Sequence, residues 1–176
     1  STFQNQAGPY DQAAMDEPII YAGSTAVDAS VPEELPLVFL IEGDPALRSD
    51  VSTQIHYSGY RVLAFEKIES ALEECRRKVP AVMVVDLSQP EGDMAMVLAE
   101  IQMLNEHSIP IIFLSDRGDI ETRVRAVRFG GNAYFEKPAD AGALIRAIDN
   151  TVHKKEIELY RILIVQQETE TAARYA

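Results

Sequence analysis

Residues 81–90 read AVMVVDLSQP, and the five residues before Asp86 decide the fold. They are apolar without alternation. A strand tolerates that only when both of its faces are covered, as in a parallel sheet with helices front and back. A membrane span would need about 20 such residues, so this run is strand-length. Similar runs lie on both sides of it: LVFLI (37–41) and YRVLAF (60–65) before, IPIIFL (109–114) and NAYFEK (132–137) after. Amphipathic segments separate them. Leu47, Val51 and Ile55 recur at four-residue steps, as do Leu144, Ile148 and Val152, the stripe that a helix lays on a sheet.

The pattern is βαβα, repeated five times from Leu37 onward. Right-handed crossovers joining parallel strands place the first strand near the middle. The expected fold is a doubly wound, three-layer α/β domain with a five-stranded parallel sheet in the flavodoxin-like order 2-1-3-4-5, whose functional groups gather at the carboxyl ends of the strands.

Composition narrows the function. The chain has 176 residues, is 47% hydrophobic and carries a net charge of -12. That is one domain plus extensions, with a real core. The acidity opposes attraction to nucleic acid or to an anionic membrane surface. Cys75 is the single cysteine, so no disulfide can form within the chain and a reducing compartment is expected. No Lys or Arg precedes Arg48, and no apolar stretch is long enough for a signal segment or a span, so a cytoplasmic location is expected. Residues 1–36 hold six acids and no basic residue, which reads as a flexible acidic tail. Its PIIYAG stretch leaves a second use open, as a strand donor through Ile19, Ile20 and Tyr21.

The strand ends supply the chemistry. The first strand closes on Glu42, Gly43, Asp44 and Pro45, the third on Asp86, the fourth on Ser115 and Asp116, and the fifth on Lys137 and Pro138. Taken singly, each could be a helix cap or a surface residue. As a set they resemble the receiver domain of bacterial two-component response regulators over about residues 36–155. VVDLSQP carries that family's Asp with Pro four residues on, FLSD its hydroxyl residue, and GGNAYFEKP its aromatic position and Lys-Pro pair.

The resemblance implies a phosphorelay role: a phosphohistidine on a sensor histidine kinase or phosphotransfer protein gives its phosphoryl group to Asp86. It implies Mg²⁺ held by Asp86, the Ser88 backbone carbonyl and the acidic pair that ends the first strand, here represented by Glu42. Lys137 would meet a phosphoryl oxygen, as would the hydroxyl of Ser115 once the group is in place. Movement of Ser115 would let Tyr134 swing inward and alter the surface of the fourth helix, fifth strand and fifth helix. A cis Lys137-Pro138 bond is also implied. The domain would promote its own phosphorylation, with no independent catalytic output domain in these residues.

One position departs from the family. Aligning on Pro45 puts Gly43 where a second acid is usual, so Mg²⁺ affinity is in question. Asp116, where a small residue is common, is a further candidate ligand. The alternative function is therefore a degenerate pseudo-receiver, an interaction or dimerisation module independent of phosphorylation. A phosphatase with an Asp nucleophile would want a second Asp where Ser88 stands.

His56, His107 and His153 share no ligand spacing, and Cys75 has no catalytic partner. All four read as surface or packing residues. Arg123, Arg125 and Arg128 lie on the presumptive fourth helix, a solvated face that in the family often forms a homodimer. Lastly, RILIVQQETE (161–170) can be laid on LVFLIEGDPA (37–46), with Gln166 and Gln167 on Glu42 and Gly43. Residues 156–176 are thus expected to be a linker helix to about Tyr160, then a strand that begins a truncated second receiver. In the family such tandems often precede an output domain such as a diguanylate cyclase. A continued helix is the alternative, since Ile145, Ile148, Val152, Leu159 and Ile162 follow steps of three and four with Lys155 in one slot.

Overall fold

The computed structural model describes residues 20–21, 35–88, 94–103 and 108–175. Six strands form one parallel sheet: β1 (Ile20–Tyr21), β2 (Leu37–Ile41), β3 (Arg61–Phe65), β4 (Val82–Asp86), β5 (Ile111–Ser115) and β6 (Ala133–Glu136). Their order is β1-β3-β2-β4-β5-β6. Without the two-residue β1, the five longer strands follow the expected order 2-1-3-4-5.

Every residue of β2, β4 and β5 is buried. Because side chains alternate along a strand, one apolar run serves two cores. Phe39, Ile41, Met83, Val85, Ile111 and Phe113 point to one face, and Val38, Leu40, Val82, Val84, Ile112 and Leu114 to the other. The first face is covered by α2 (Ile68–Cys75) and α3 (Met94–Met103), with Ala126 of α4 (Ile120–Arg128). The second is covered by Ile55 of α1 (Pro45–Tyr57) and by Leu144, Ile148 and Val152 of α5 (Ala141–Tyr175).

Local chemistry sets the helix ends that frame the site. Asp44 caps α1, its carboxylate accepting from Leu47 N at 2.9 Å, and Pro45 takes the first turn, where its missing N–H costs nothing. Asp119 caps α4 by accepting from Thr122 N at 2.7 Å. After α4 the chain turns at Gly130, whose φ of 79° favours glycine.

Two sequence expectations change. Ile20 and Tyr21 pair with Leu63 and Ala64 on the outer edge of β3, so part of the N-terminal segment extends the sheet. Ile19 and His107 lie outside the described residues. At the other terminus the expected strand over 162–165 is helix. α5 runs for 35 residues, about 50 Å. No part of a second receiver is seen among the described residues. A strand at 162–165 would need neighbours for its N–H and C=O groups. The helix satisfies them within itself, and the Gln, Glu and Ala residues that follow support it.

Candidate functional site

Sheet register brings the strand-end residues together. Ile41 lies opposite Val85, which sets Glu42 beside Asp86. Asp86 lies opposite Leu114, and Ser115 opposite Glu136, which carries Ser115 and Lys137 one residue further out along the same edge. Main-chain bonds hold this edge: Leu87 N donates to the Leu114 carbonyl and Lys137 N to the Ser115 carbonyl, each at 2.7 Å. The Lys137-Pro138 peptide bond is cis, as expected.

Lys137 sits between two carboxylates. Its Nζ is 2.7 Å from Glu42 Oε2 and 3.0 Å from Asp86 Oδ1. All three groups are removed from solvent, with side-chain exposures of 14%, 2% and 6% for Lys137, Glu42 and Asp86. Burial would depress the Lys137 pKa, but hydrogen bonds to Glu42 and Asp86 and the charges of both outweigh it and hold the ammonium above the ordinary lysine value. Glu42 goes upward too. Burial raises its pKa, and the contacts with Lys137 and Asp44 N only partly offset this.

Asp86 is used unevenly. Lys137 Nζ and Ser88 N, which donates at 2.9 Å, both meet Oδ1. Oδ2 has no polar partner among the described residues, which leaves one carboxylate oxygen available to an incoming electrophile or cation. Ser115 is 1% exposed, and its Oγ accepts from Arg117 N at 3.1 Å. Tyr134 is half-exposed and turned toward the β5–α4 loop. Its hydroxyl donates to the Arg117 carbonyl, and the Arg123 guanidinium lies 5.6 Å above its ring.

The acids behave differently from one another. Asp44 faces α1 as its cap and does not join Glu42, and the Asp-Pro pair at 44–45 is the sequence signal for this. Glu42 Oε1 accepts from Asp44 N at 3.0 Å, and Arg48 holds the loop through the Glu42 carbonyl at 2.9 Å. Asp116 is exposed, and its Oδ1 accepts from Ser88 Oγ at 2.9 Å. Sequence reasoning missed this last contact, which joins residues 28 apart across two loops. Of the residues set aside, Cys75 is buried, which pushes its thiol up to about 11. His56 is buried and His153 exposed.

Comparisons with known proteins bear on the family and the fold. The response regulator receiver domain model matches residues 38–149. The chain is similar to the KDP operon transcriptional regulatory protein KdpE of Escherichia coli, at 27% identity over 107 residues, 61% of this chain and 47% of that protein. It is also similar to nodulation protein W of Bradyrhizobium diazoefficiens, at 30% over 112 residues, 64% of this chain and 49% of that protein. It thus spans half or less of these relatives. Among solved structures, the signal receiver domain of a modulated diguanylate cyclase from Desulfovibrio desulfuricans superposes with a TM-score of 0.61 at 29% identity, over 71% of this chain and 99% of that one. A CheY-like receiver domain protein from Methanospirillum hungatei superposes with a TM-score of 0.63 at 18% identity, over 70% and 98%.

Proposed function

This chain belongs to the response regulator receiver domain family, and on that premise we propose that it accepts a phosphoryl group on Asp86 from a histidine kinase or phosphotransfer protein. Receiver domains of this family act in two-component signal transduction. The single observation that carries the finer reading is the asymmetry of Asp86, with Oδ1 held by Lys137 and Ser88 N and Oδ2 without a polar partner among the described residues.

In this reading Oδ2 attacks phosphorus as the P–N bond to the donor imidazole breaks. The electron pair leaves with that nitrogen, and the product is an aspartyl phosphate. Lys137 offers its ammonium to a phosphoryl oxygen. Ser115 gives up the Arg117 amide and turns its hydroxyl to another, and Tyr134 then exchanges its Arg117 contact for the space left behind.

The family typically binds Mg²⁺, and the donor set fits it. Two carboxylates and the Ser88 carbonyl are hard oxygen ligands of the number Mg²⁺ takes from protein, the rest being phosphate oxygens and waters. Glu42 Oε2 is buried, and its single polar neighbour among the described residues is the Lys137 ammonium. When bound, the ion supplies positive charge opposite the transferred group. Asp116, held beside Ser88, is a further candidate ligand in place of the acid missing at Gly43. Mg²⁺ affinity that is unchanged in Asp116→Ala removes it from the set.

Intact mass after incubation with a small phosphodonor and Mg²⁺ tests the whole reading. The expected result is a gain of one phosphoryl group that is lost in Asp86→Ala. No gain in the unmodified protein favours the pseudo-receiver, a reading supported by Asp44 facing α1.

We take residues 37–155 as the receiver unit, 1–36 as an acidic tail and 156–176 as a linker. The likeness of 161–170 to 37–46 supports a tandem with a second receiver, although this stretch is helical here. The name of the Desulfovibrio relative supports a diguanylate cyclase as one output, and the family's frequent use of the α4 face, here bearing Arg123, Arg125 and Arg128, supports a homodimer.

A further inference from the structure

We propose that Asp116 is a specificity-determining residue of the phosphoryl-accepting site: clasped to Ser88, its carboxylate guards the mouth over Asp86 and disfavours small anionic phosphodonors. The proposal rests on Asp86 being the phosphoacceptor.

Ser88 bridges two carboxylates, one at the end of β4 and one just after β5. Its backbone N donates to Asp86 Oδ1 and its Oγ to Asp116 Oδ1, each at 2.9 Å. Asp116 is therefore only two hydrogen bonds from the nucleophile. It is also pinned from behind, because the next residue's amide donates to Ser115 Oγ at 3.1 Å. Its charge is not offset locally. The Arg117 guanidinium turns to Asp119, with Nε 3.1 Å from Oδ2, and Lys137 is committed to Glu42 and Asp86. Among the described residues Asp116 has no ion pair.

Glu42, Asp86 and Asp116 thus set three carboxylates against the single ammonium of Lys137, and Mg²⁺ held by Glu42 and Asp86 would offset charge there while Asp116, outside that pair, keeps its own. Asp116 is exposed while Glu42 and Asp86 are buried, so it is the most solvent-facing of the three. Two hydrogen bonds of 2.9 Å through one residue hold it near Asp86 on the scale of a Debye length, roughly 8 Å at physiological ionic strength, so its repulsion of a dianion is felt and is reduced by salt. A protein donor can bring cationic side chains to meet Asp116. A small phosphodonor cannot, and the difference is selectivity by a repulsive element.

The test is the initial rate of labelling at saturating Mg²⁺, read by intact mass, with acetyl phosphate and with the less charged phosphoramidate at low and high salt. Asp116→Asn keeps an acceptor for Ser88 Oγ and drops the charge. It should be labelled about three- to ten-fold faster by acetyl phosphate, less so by phosphoramidate, with the gain shrinking as salt rises. Ser88→Ala keeps the charge and opens the clasp, and should give a smaller gain because the carboxylate can turn to solvent. An Asn variant labelled no faster, or faster by the same factor at every salt concentration, overturns the proposal while leaving Asp86 as acceptor. Slower labelling together with weaker Mg²⁺ binding overturns it by giving Asp116 to the metal. Failure of every protein to take label removes both the proposal and the reading beneath it.

Discussion

Lys137 keeps two buried carboxylates compatible, and removing its charge should expose their conflict. In Lys137→Met, Glu42 and Asp86 face each other unpaired in a poorly solvated edge. Breaking such a pair costs about 3–5 kcal/mol when fully buried, and about 2–4 kcal/mol is expected here at neutral pH because the site opens to solvent on one side. The deficit should depend on pH. Glu42 already has a folded pKa above its ordinary 4.5, so its favourable contribution is complete below that value and is lost as pH rises through the folded one. Losing Lys137 pushes the folded value further up, so denaturant unfolding should show the variant regaining stability as pH falls toward 5. A deficit that is flat from pH 8 to pH 5 would mean that Glu42 is not the group in conflict. At this scale Asp86 and Ser115 were legible because each ends an apolar run, and Lys137 because of the Pro that follows it. The Ser88 to Asp116 bond was not, since nothing local links residues on two separate loops.

Elements were legible where both faces of a strand carry apolar residues and obscure where pairing alone makes the strand. β2, β4 and β5 advertise themselves by unbroken hydrophobicity, whereas β1 is two residues in register with Leu63 and Ala64. The double variant Ile20→Pro and Tyr21→Pro removes the N–H donors of β1 and should detach it. Hydrogen exchange should then quicken at the β3 amides that face β1, with β2, β4 and β5 still protected. Unaltered exchange throughout β3 would show that the pairing contributes nothing in solution. Between α4 and β6 the fit is tighter. A Cβ on Gly131 would come within 2.7 Å of the Phe113 ring and 2.9 Å of the Ala126 carbonyl oxygen. Gly131→Ala should cost about 1–3 kcal/mol in denaturant unfolding, because neither a buried ring nor a helix carbonyl can easily yield. An alanine variant as stable as the parent would mean that α4 is free to shift away from the sheet.

Over the whole molecule, the cooperative unit ends well before the chain does. Along α5 the last buried residue is Val152, and from Glu156 to Tyr175 every residue is exposed, including the four consecutive apolar residues Ile162 to Val165. Those four made the tail look like a strand. Periodicity within a short run cannot tell a strand from a helix, and what decides between them is the neighbours that the surroundings supply. The same fact predicts how the tail responds to removal. Deleting residues 161–176 takes away helix but no core, so ellipticity at 222 nm should fall in proportion to the 15 helical residues lost. The midpoint of thermal unfolding should move by no more than about 3 °C, the size expected when less than about 0.5 kcal/mol is at stake. A drop of about 10 °C would mean that the apolar turn at 162–165 packs against the domain after all, and that the molecule's core extends beyond Val152.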